Sequence, residues 1–190
     1  EAGKYTINRK EIKVVSSRNP EELPWKDLNI DLVIECTGVF TDRAGAGKHI
    51  TAGAKRVVIS APAKDEIDRT IVMGINENTY NPETDHIISN ASCTTNGLAP
   101  VAKVLNDSFG IVKGFMTTVH AYTSSQKLVD SPDKKLRRGR AAAYNIVPTT
   151  SGATTATAQV IPALEGKMDG VSLRVPIIVG SIVDFVAELS

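Results

Sequence analysis

In the first half of the chain, short β-branched apolar runs alternate with helix-patterned segments, and that order restricts the fold more than any other feature. Leu32-Val33-Ile34 is followed by a helical pattern from Arg43 to Thr51 and then by Val57-Val58-Ile59. Apolar strands joined by helices do not pair as hairpins; they call for a parallel sheet buried on both faces. Thr41 or Asp42 is placed to cap the helix start, and Gly53 to end it. Ile71-Val72-Met73 and Ile87-Ile88 supply further strands. In open sheets of this kind, ligands lie outside the carboxyl ends of the strands. Thr37-Gly38 and Ser60-Ala61-Pro62 occupy such ends. Cys36, beside them, reads as a buried strand residue without a redox role.

The pattern changes near residue 92. Ser89-Asn90-Ala91-Ser92-Cys93-Thr94-Thr95-Asn96-Gly97 joins the Ile87-Ile88 strand to a helix expected from about Thr94 to Asp107, ending at Gly110. Unpaired N–H groups and the helix dipole at such a junction favour an anion, which suits a nucleophilic thiol. The ordinary reading of a free cysteine is an inert, buried residue, but here its neighbours are Ser, Thr and Asn. Gly114 to Thr123 reads as a strand whose alternation sets Met116, Thr118, His120 and Tyr122 on one face. His49 and His86 lie in less suggestive surroundings. A cysteine and a histidine are the minimum for thiol activation.

Residues 124–147 show no strand alternation, and an irregular connection of that length is usually functional or mobile. Its basic run, Lys134-Lys135-Leu136-Arg137-Arg138-Gly139-Arg140, has no interleaved aromatic residues. A phosphate or subunit contact suits it better than nucleic acid. Pro148 to Ala156 resembles a second helix start, rich in hydroxyls and small residues. Arg174, between Leu173 and Val175, sits in a strand where an unpaired charge is costly, so an anionic partner is expected. Val175 to Val179 reads as a buried strand.

Net charge is +1 over 190 residues, which favours neither nucleic acid nor an anionic membrane as partner. Two cysteines on separate elements make no disulfide framework and suit a reducing, cytoplasmic setting. No segment has the length of a membrane span, and no residue cluster points to a metal.

Several of these segments resemble the phosphorylating glyceraldehyde-3-phosphate dehydrogenase family. They are Ser89 to Asn96, Thr117-Thr118-Val119-His120-Ala121-Tyr122-Thr123, Leu136 to Ala143, Leu173-Arg174-Val175-Pro176, Glu35-Cys36-Thr37-Gly38 and Ser60-Ala61-Pro62-Ala63-Lys64. The likeness runs along the whole chain in the family's order. It implies an α/β fold: the later half of a Rossmann-type parallel-sheet domain over 1–92, then the first part of an α+β catalytic domain over 93–190, with the S-shaped loop at about 124–147. The family's glycine fingerprint is not found; Gly45-Ala46-Gly47 lies within a helical pattern and lacks a third glycine. The chain is therefore expected to be an internal piece of a longer polypeptide, missing that fingerprint and the C-terminal part.

The resemblance also implies roles. Cys93 attacks the aldehyde of glyceraldehyde 3-phosphate and His120 takes the proton; hydride passes to NAD, and inorganic phosphate releases 1,3-bisphosphoglycerate. The substrate phosphate falls to Thr123 and Arg174, and inorganic phosphate to Ser92, Thr94, Arg138, Ser151 and Gly152. Arg18 and Ser60 contact NAD, with Thr37 and Gly38 near it. Pro132 leans toward NAD over NADP. A cytoplasmic homo-oligomer, the tetramer typical of the family, is expected. Ser151 stands where threonine is usual, Ser125 where aspartate is frequent, and Gly97 where cysteine is frequent; Ile177-Ile178-Val179-Gly180 is more apolar than the family's run. Two alternatives stay open: a non-catalytic relative acting by binding only, and an erythrose-4-phosphate dehydrogenase.

Overall fold

Alternating core-facing residues and well-formed helix caps account for most of the architecture. The computed structural model describes residues 3–190. Contacts divide them into two units, one running to Ile71 and resuming at Asn78–Ala91, the other taking Val72–Glu77 and Ser92–Ser190.

The first unit opens with an antiparallel hairpin of β1 (Lys4–Ile7) and β2 (Lys10–Lys13). Both turn residues, Asn8 and Arg9, take positive φ, the geometry that matches strand twist in a two-residue hairpin. Without a glycine at the turn and with charged residues along both strands, nothing in the sequence announced it. The parallel sheet follows: β3 (Leu32–Glu35), helix α1 (Arg43–Thr51), β4 (Arg56–Ile59), β5 (Arg69–Thr70) and β6 (Ile87–Ser89). Its order is β3-β4-β6-β5, parallel throughout. Asp42 caps α1 by accepting the Gly45 N–H at 2.6 Å. Gly53 follows the helix at φ +106°, and a Cβ there would lie 2.5 Å from Lys26 Cβ.

Val33, Ala46, Val57, Ile59 and Ile87 form the core between α1 and one sheet face. Among the described residues α1 covers one face of the sheet, and Leu32 and Ile34, which alternate with buried Val33 and Glu35, are exposed on the other. Two expectations are corrected here. Cys36 is exposed, since β3 ends at Glu35 and the next residue leaves the pleat. Ile71-Val72-Met73 is not a strand; pairing stops at Thr70, while Ile71 and Val72 are buried beyond it and Met73 is exposed. Asp68 fastens this end of the sheet, accepting the His86 and Ile87 N–H groups at 2.8 Å each and pairing with Arg43 at 2.7 Å.

In the second unit, helix α2 (Cys93–Phe109) leads into β7 (Ile111–Ala121). After the long loop come β8 (Val147–Thr149), α3 (Ala153–Val160), β9 (Met168–Val175) and β10 (Ser181–Leu189). The sheet order is β10-β7-β9-β8, with β7 and β9 parallel and the outer pairs antiparallel. Leu98 of α2, Met116 of β7 and Ala153 of α3 are fully buried together, with Val183 and Phe185 of β10 against them. The expected buried strand at Ile177-Ile178-Val179 is instead an exposed turn between β9 and β10. Gly180 at φ +91° closes that turn, and the apolar run that suggested a strand is spent on it. The 124–147 loop holds itself together: Ala142 N–H donates to Lys127 O, Ser131 N–H to Gly139 O, and Asp130 accepts from Ala141 N–H and pairs with Arg140.

Candidate active site

The α2 start is set by Ser92, whose hydroxyl accepts the Thr95 N–H at 3.0 Å and also pairs with the Thr95 hydroxyl at 2.7 Å. A serine N-cap followed by a polar first turn places Cys93 as the first helical residue, exposed. Thr95 is fully buried and Thr94 nearly so. On β7, Met116 and Thr118 point into the α2 core, and the period of two brings His120 to the same face. The two elements therefore converge, and Cys93 Sγ lies 3.6 Å from His120 Nε2.

The opposite ring nitrogen fixes how that pair works. His120 Nδ1 is 2.7 Å from the Ala121 carbonyl oxygen, which only accepts. A proton on Nδ1 serves that carbonyl and leaves the Nε2 lone pair facing the thiol. His120 thus stands as an acceptor for the Cys93 proton. Register then sets Arg174 of β9 directly beside His120 of β7. Its Nη1 donates to Ala121 O at 3.0 Å and lies 3.2 Å from His120 Nδ1.

Arg174 is half-buried, and its Nε is buried without a hydrogen-bond partner. Burial pushes the guanidinium below its ordinary pKa and the nearby Arg138 pushes it further, with Cys93 opposing. Among the described residues, neither Arg138 nor Arg174 has a carboxylate partner. Arg138 Nε donates to the Thr149 hydroxyl at 3.1 Å, from the edge strand β8 that pairs with β9. Two cations held close together without a counter-charge make a place for an anion.

The remaining residues divide by what their polar groups already do. The Thr123 hydroxyl pairs with the Ser125 hydroxyl at 2.9 Å. The Ser151 hydroxyl accepts from Ala153 N–H at 3.2 Å, while Gly152 caps α3 with open space around it. In the first unit, Thr37 and Ser60 stand at adjacent strand ends, since Glu35 pairs with Ile59 and Ser60 N–H donates to Glu35 O. Gly38 takes φ +72° with open space where a Cβ would be. Arg18 is exposed in the turn before Asn19.

Sequence reasoning passed over one residue group here. Glu35 is buried, accepts both the N–H and the hydroxyl of Thr37, and meets His49 Nε2 at 2.9 Å. Burial pushes its carboxyl up, but the bonds from Thr37 and His49 outweigh this and hold it below the usual value. A carboxylate on the core-facing parity of an apolar strand was the available signal.

Residues 92–190 match the family described as "Glyceraldehyde 3-phosphate dehydrogenase, C-terminal domain", and residues 1–43 match its "NAD binding domain". The glyceraldehyde-3-phosphate dehydrogenase of Streptomyces coelicolor is 61% identical over 184 residues, covering 97% of this chain and 54% of its own length. Glyceraldehyde-3-phosphate dehydrogenase 2 of Streptomyces avermitilis is 60% identical over 189 residues, covering 100% and 56%. The glyceraldehyde-3-phosphate dehydrogenase of Geobacillus stearothermophilus is 58% identical over 183 residues, covering 96% and 54%. The chain spans about half the length of the curated relatives it matches. With residues 92–190, more than half of the chain, matched and its α/β architecture in keeping, the chain belongs to the glyceraldehyde 3-phosphate dehydrogenase family.

Proposed function

We propose that this chain carries the reacting groups of an NAD-dependent phosphorylating aldehyde dehydrogenase. It converts D-glyceraldehyde 3-phosphate and inorganic phosphate to 1,3-bisphosphoglycerate, a glycolytic oxidation. The observation that carries the reading is the Cys93–His120 pair with Arg174 in register beside it. The Cys93 sulfur forms a bond to the aldehyde carbon as its proton moves to His120 Nε2. Oxidation of the resulting hemithioacetal leaves a thioester on Cys93. Inorganic phosphate attacks the acyl carbon, the C–S bond breaks, and the thiolate departs. His120, protonated after the first step, stabilises charge on the substrate oxygen. Thr123 and Arg174 hold the sugar phosphate. Arg138, Thr94, Ser151 and Gly152, with the Ser92 cap, hold the second phosphate. The orphaned Arg174 Nε and the unbalanced Arg138 favour that assignment.

The first unit fits a dinucleotide in the open ground around Gly38 and at the neighbouring Ser60 strand end, with Arg18 exposed nearby in sequence to β2. When bound, NAD supplies the hydride acceptor. Thr37 serves by shaping the Gly38 turn, since its hydroxyl is bonded to Glu35 and to Val39 N–H. NAD is preferred to NADP on the Pro132 resemblance alone. Two free, exposed cysteines support a reducing, cytoplasmic setting.

Kinetics on the full-length protein test the two-phosphate assignment. Arg174→Ala is expected to raise the KM for the sugar phosphate by at least about tenfold, with a smaller effect on inorganic phosphate. Ser151→Ala is expected to act on inorganic phosphate instead. Equal effects of both variants on both KM values would overturn the assignment.

A further inference from the structure

The Glu35 group in the first unit has a defined hydrogen-bond polarity. Trp25 Nε1–H meets His49 Nδ1 at 3.0 Å, and an indole N–H only donates. His49 Nδ1 therefore accepts, its ring proton sits on Nε2, and that proton goes to Glu35 Oε2 at 2.9 Å. The other carboxylate oxygen, Oε1, takes the Thr37 N–H at 2.6 Å and the Thr37 hydroxyl. The Thr37 hydroxyl oxygen in turn accepts the Val39 N–H at 3.1 Å across Gly38. Five residues thus form one directional chain, Trp25 to His49 to Glu35 from one side and Val39 to Thr37 to Glu35 from the other.

Every link has a sequence cause. Glu35 takes the core-facing parity of β3, His49 lies in the last turn of α1 facing the sheet, and Trp25 precedes β3. Glu35 and His49 are 3% and 5% exposed. A carboxylate buried this far needs each lone pair used, and here both oxygens are. Removing a partner from such a group leaves it costly and free to pull on what remains.

We infer that Trp25, His49 and Glu35 are positioning residues that hold the Thr37-Gly38 turn in the shape the cofactor meets. This deepens the NAD reading above and rests on it. The carboxylate touches no cofactor; it gathers the Thr37 amide and hydroxyl so that the Gly38 backbone is presented outward at φ +72°. A neutral amide at position 35 would offer one acceptor and one donor where two acceptors are needed.

Two measurements on the full-length protein test it. The first is a proton–nitrogen spectrum of the histidine rings without NAD, expected to show His49 with its proton on Nε2. A proton on Nδ1 would overturn the chain. The second is NAD titration of variants. Glu35→Gln and His49→Leu are expected to raise the NAD Kd and KM about tenfold, while kcat at saturating NAD and the aldehyde KM stay within about twofold. His49→Gln, which keeps a donor for Glu35, is expected to restore most of the affinity, and Trp25→Phe to weaken it by less than His49→Leu. Wild-type Kd in Glu35→Gln and His49→Leu, with only a lowered melting temperature, would make the chain structural packing and overturn the inference. Failure of the unaltered protein to bind NAD would instead overturn the cofactor reading, and the histidine spectrum would still report on the chain.

Discussion

Both cysteines of the chain are exposed, so access alone would let an alkylating agent reach them equally. Their surroundings differ: Cys93 starts α2 with a histidine acceptor 3.6 Å away, whereas Cys36 follows β3 beside the Thr37 turn. Iodoacetamide near neutral pH is therefore expected to label Cys93 at least about tenfold faster than Cys36. Peptide mapping that finds equal rates would remove the activated thiol. His120→Asn is expected to slow the labelling and to lower turnover about 100-fold or more. The Cys93 and His120 pair was legible because each announces itself locally, one by a polar helix start and the other by strand parity. The Trp25–His49–Glu35 chain was not, because its partners are 24 and 14 residues apart and no local pattern links them. Arg174 stood between: its strand setting was readable, but the register that sets it beside His120 belongs to the sheet.

At the scale of elements, caps and alternation were readable and coverage was not. Asp42, Gly53 and the α2 and β7 periods lie in the sequence itself, and so these elements were expected close to where they occur. Leu32, Ile34 and the Ile177–Val179 turn show the converse, since apolarity alone does not say whether anything lies over a strand. The polar fastenings of the parallel sheet make its stability pH-dependent. Glu35 and Asp68 are each pushed up by burial, yet held below their usual values by the hydrogen bonds they accept, from Thr37 and His49 and from Ile87, His86 and Arg43. A carboxyl whose pKa is depressed on folding contributes stability above its unfolded value, and that contribution is lost as pH falls through the folded one. The first unit is therefore expected to hold through neutrality and to lose stability on acidification below about pH 4. Circular dichroism across an acid titration reads this, and Asp68→Asn is expected to flatten the acid limb while lowering stability at pH 7. A variant with an unchanged titration would show that these bonds carry no linkage. In the second unit, Leu98→Ala removes a side chain that is fully buried against Met116 and Ala153. It is expected to cost about 2–5 kcal/mol in chemical denaturation.

For the whole molecule, the apolar surface that the chain leaves uncovered bears on assembly. The 124–147 loop exposes Leu128, Val129, Leu136, Tyr144 and Ile146, with Leu136 and Tyr144 each 88% exposed. Across the second sheet, Phe115, Val171, Ile182 and Val186 are exposed as well. Such residues offer apolar area for a partner subunit or the rest of the polypeptide to cover, and covering it returns about 25 cal/mol per Å². The loop is also internally tied, by the Lys127–Ala142 and Ser131–Gly139 backbone bonds and the Asp130–Arg140 pair. Its apolar tips are consequently presented by a shaped segment, which lowers the ordering cost of an interface. The full-length protein is expected to sediment as a homo-oligomer, the tetramer that the family resemblance implies. Leu136→Asp combined with Tyr144→Asp is expected to shift it toward smaller species at micromolar concentration, because burying two carboxylates without partners costs several kcal/mol each. Sedimentation velocity of both proteins decides the point. A monomeric unaltered protein would overturn the assembly, and an oligomer indifferent to the double substitution would move the interface away from this loop.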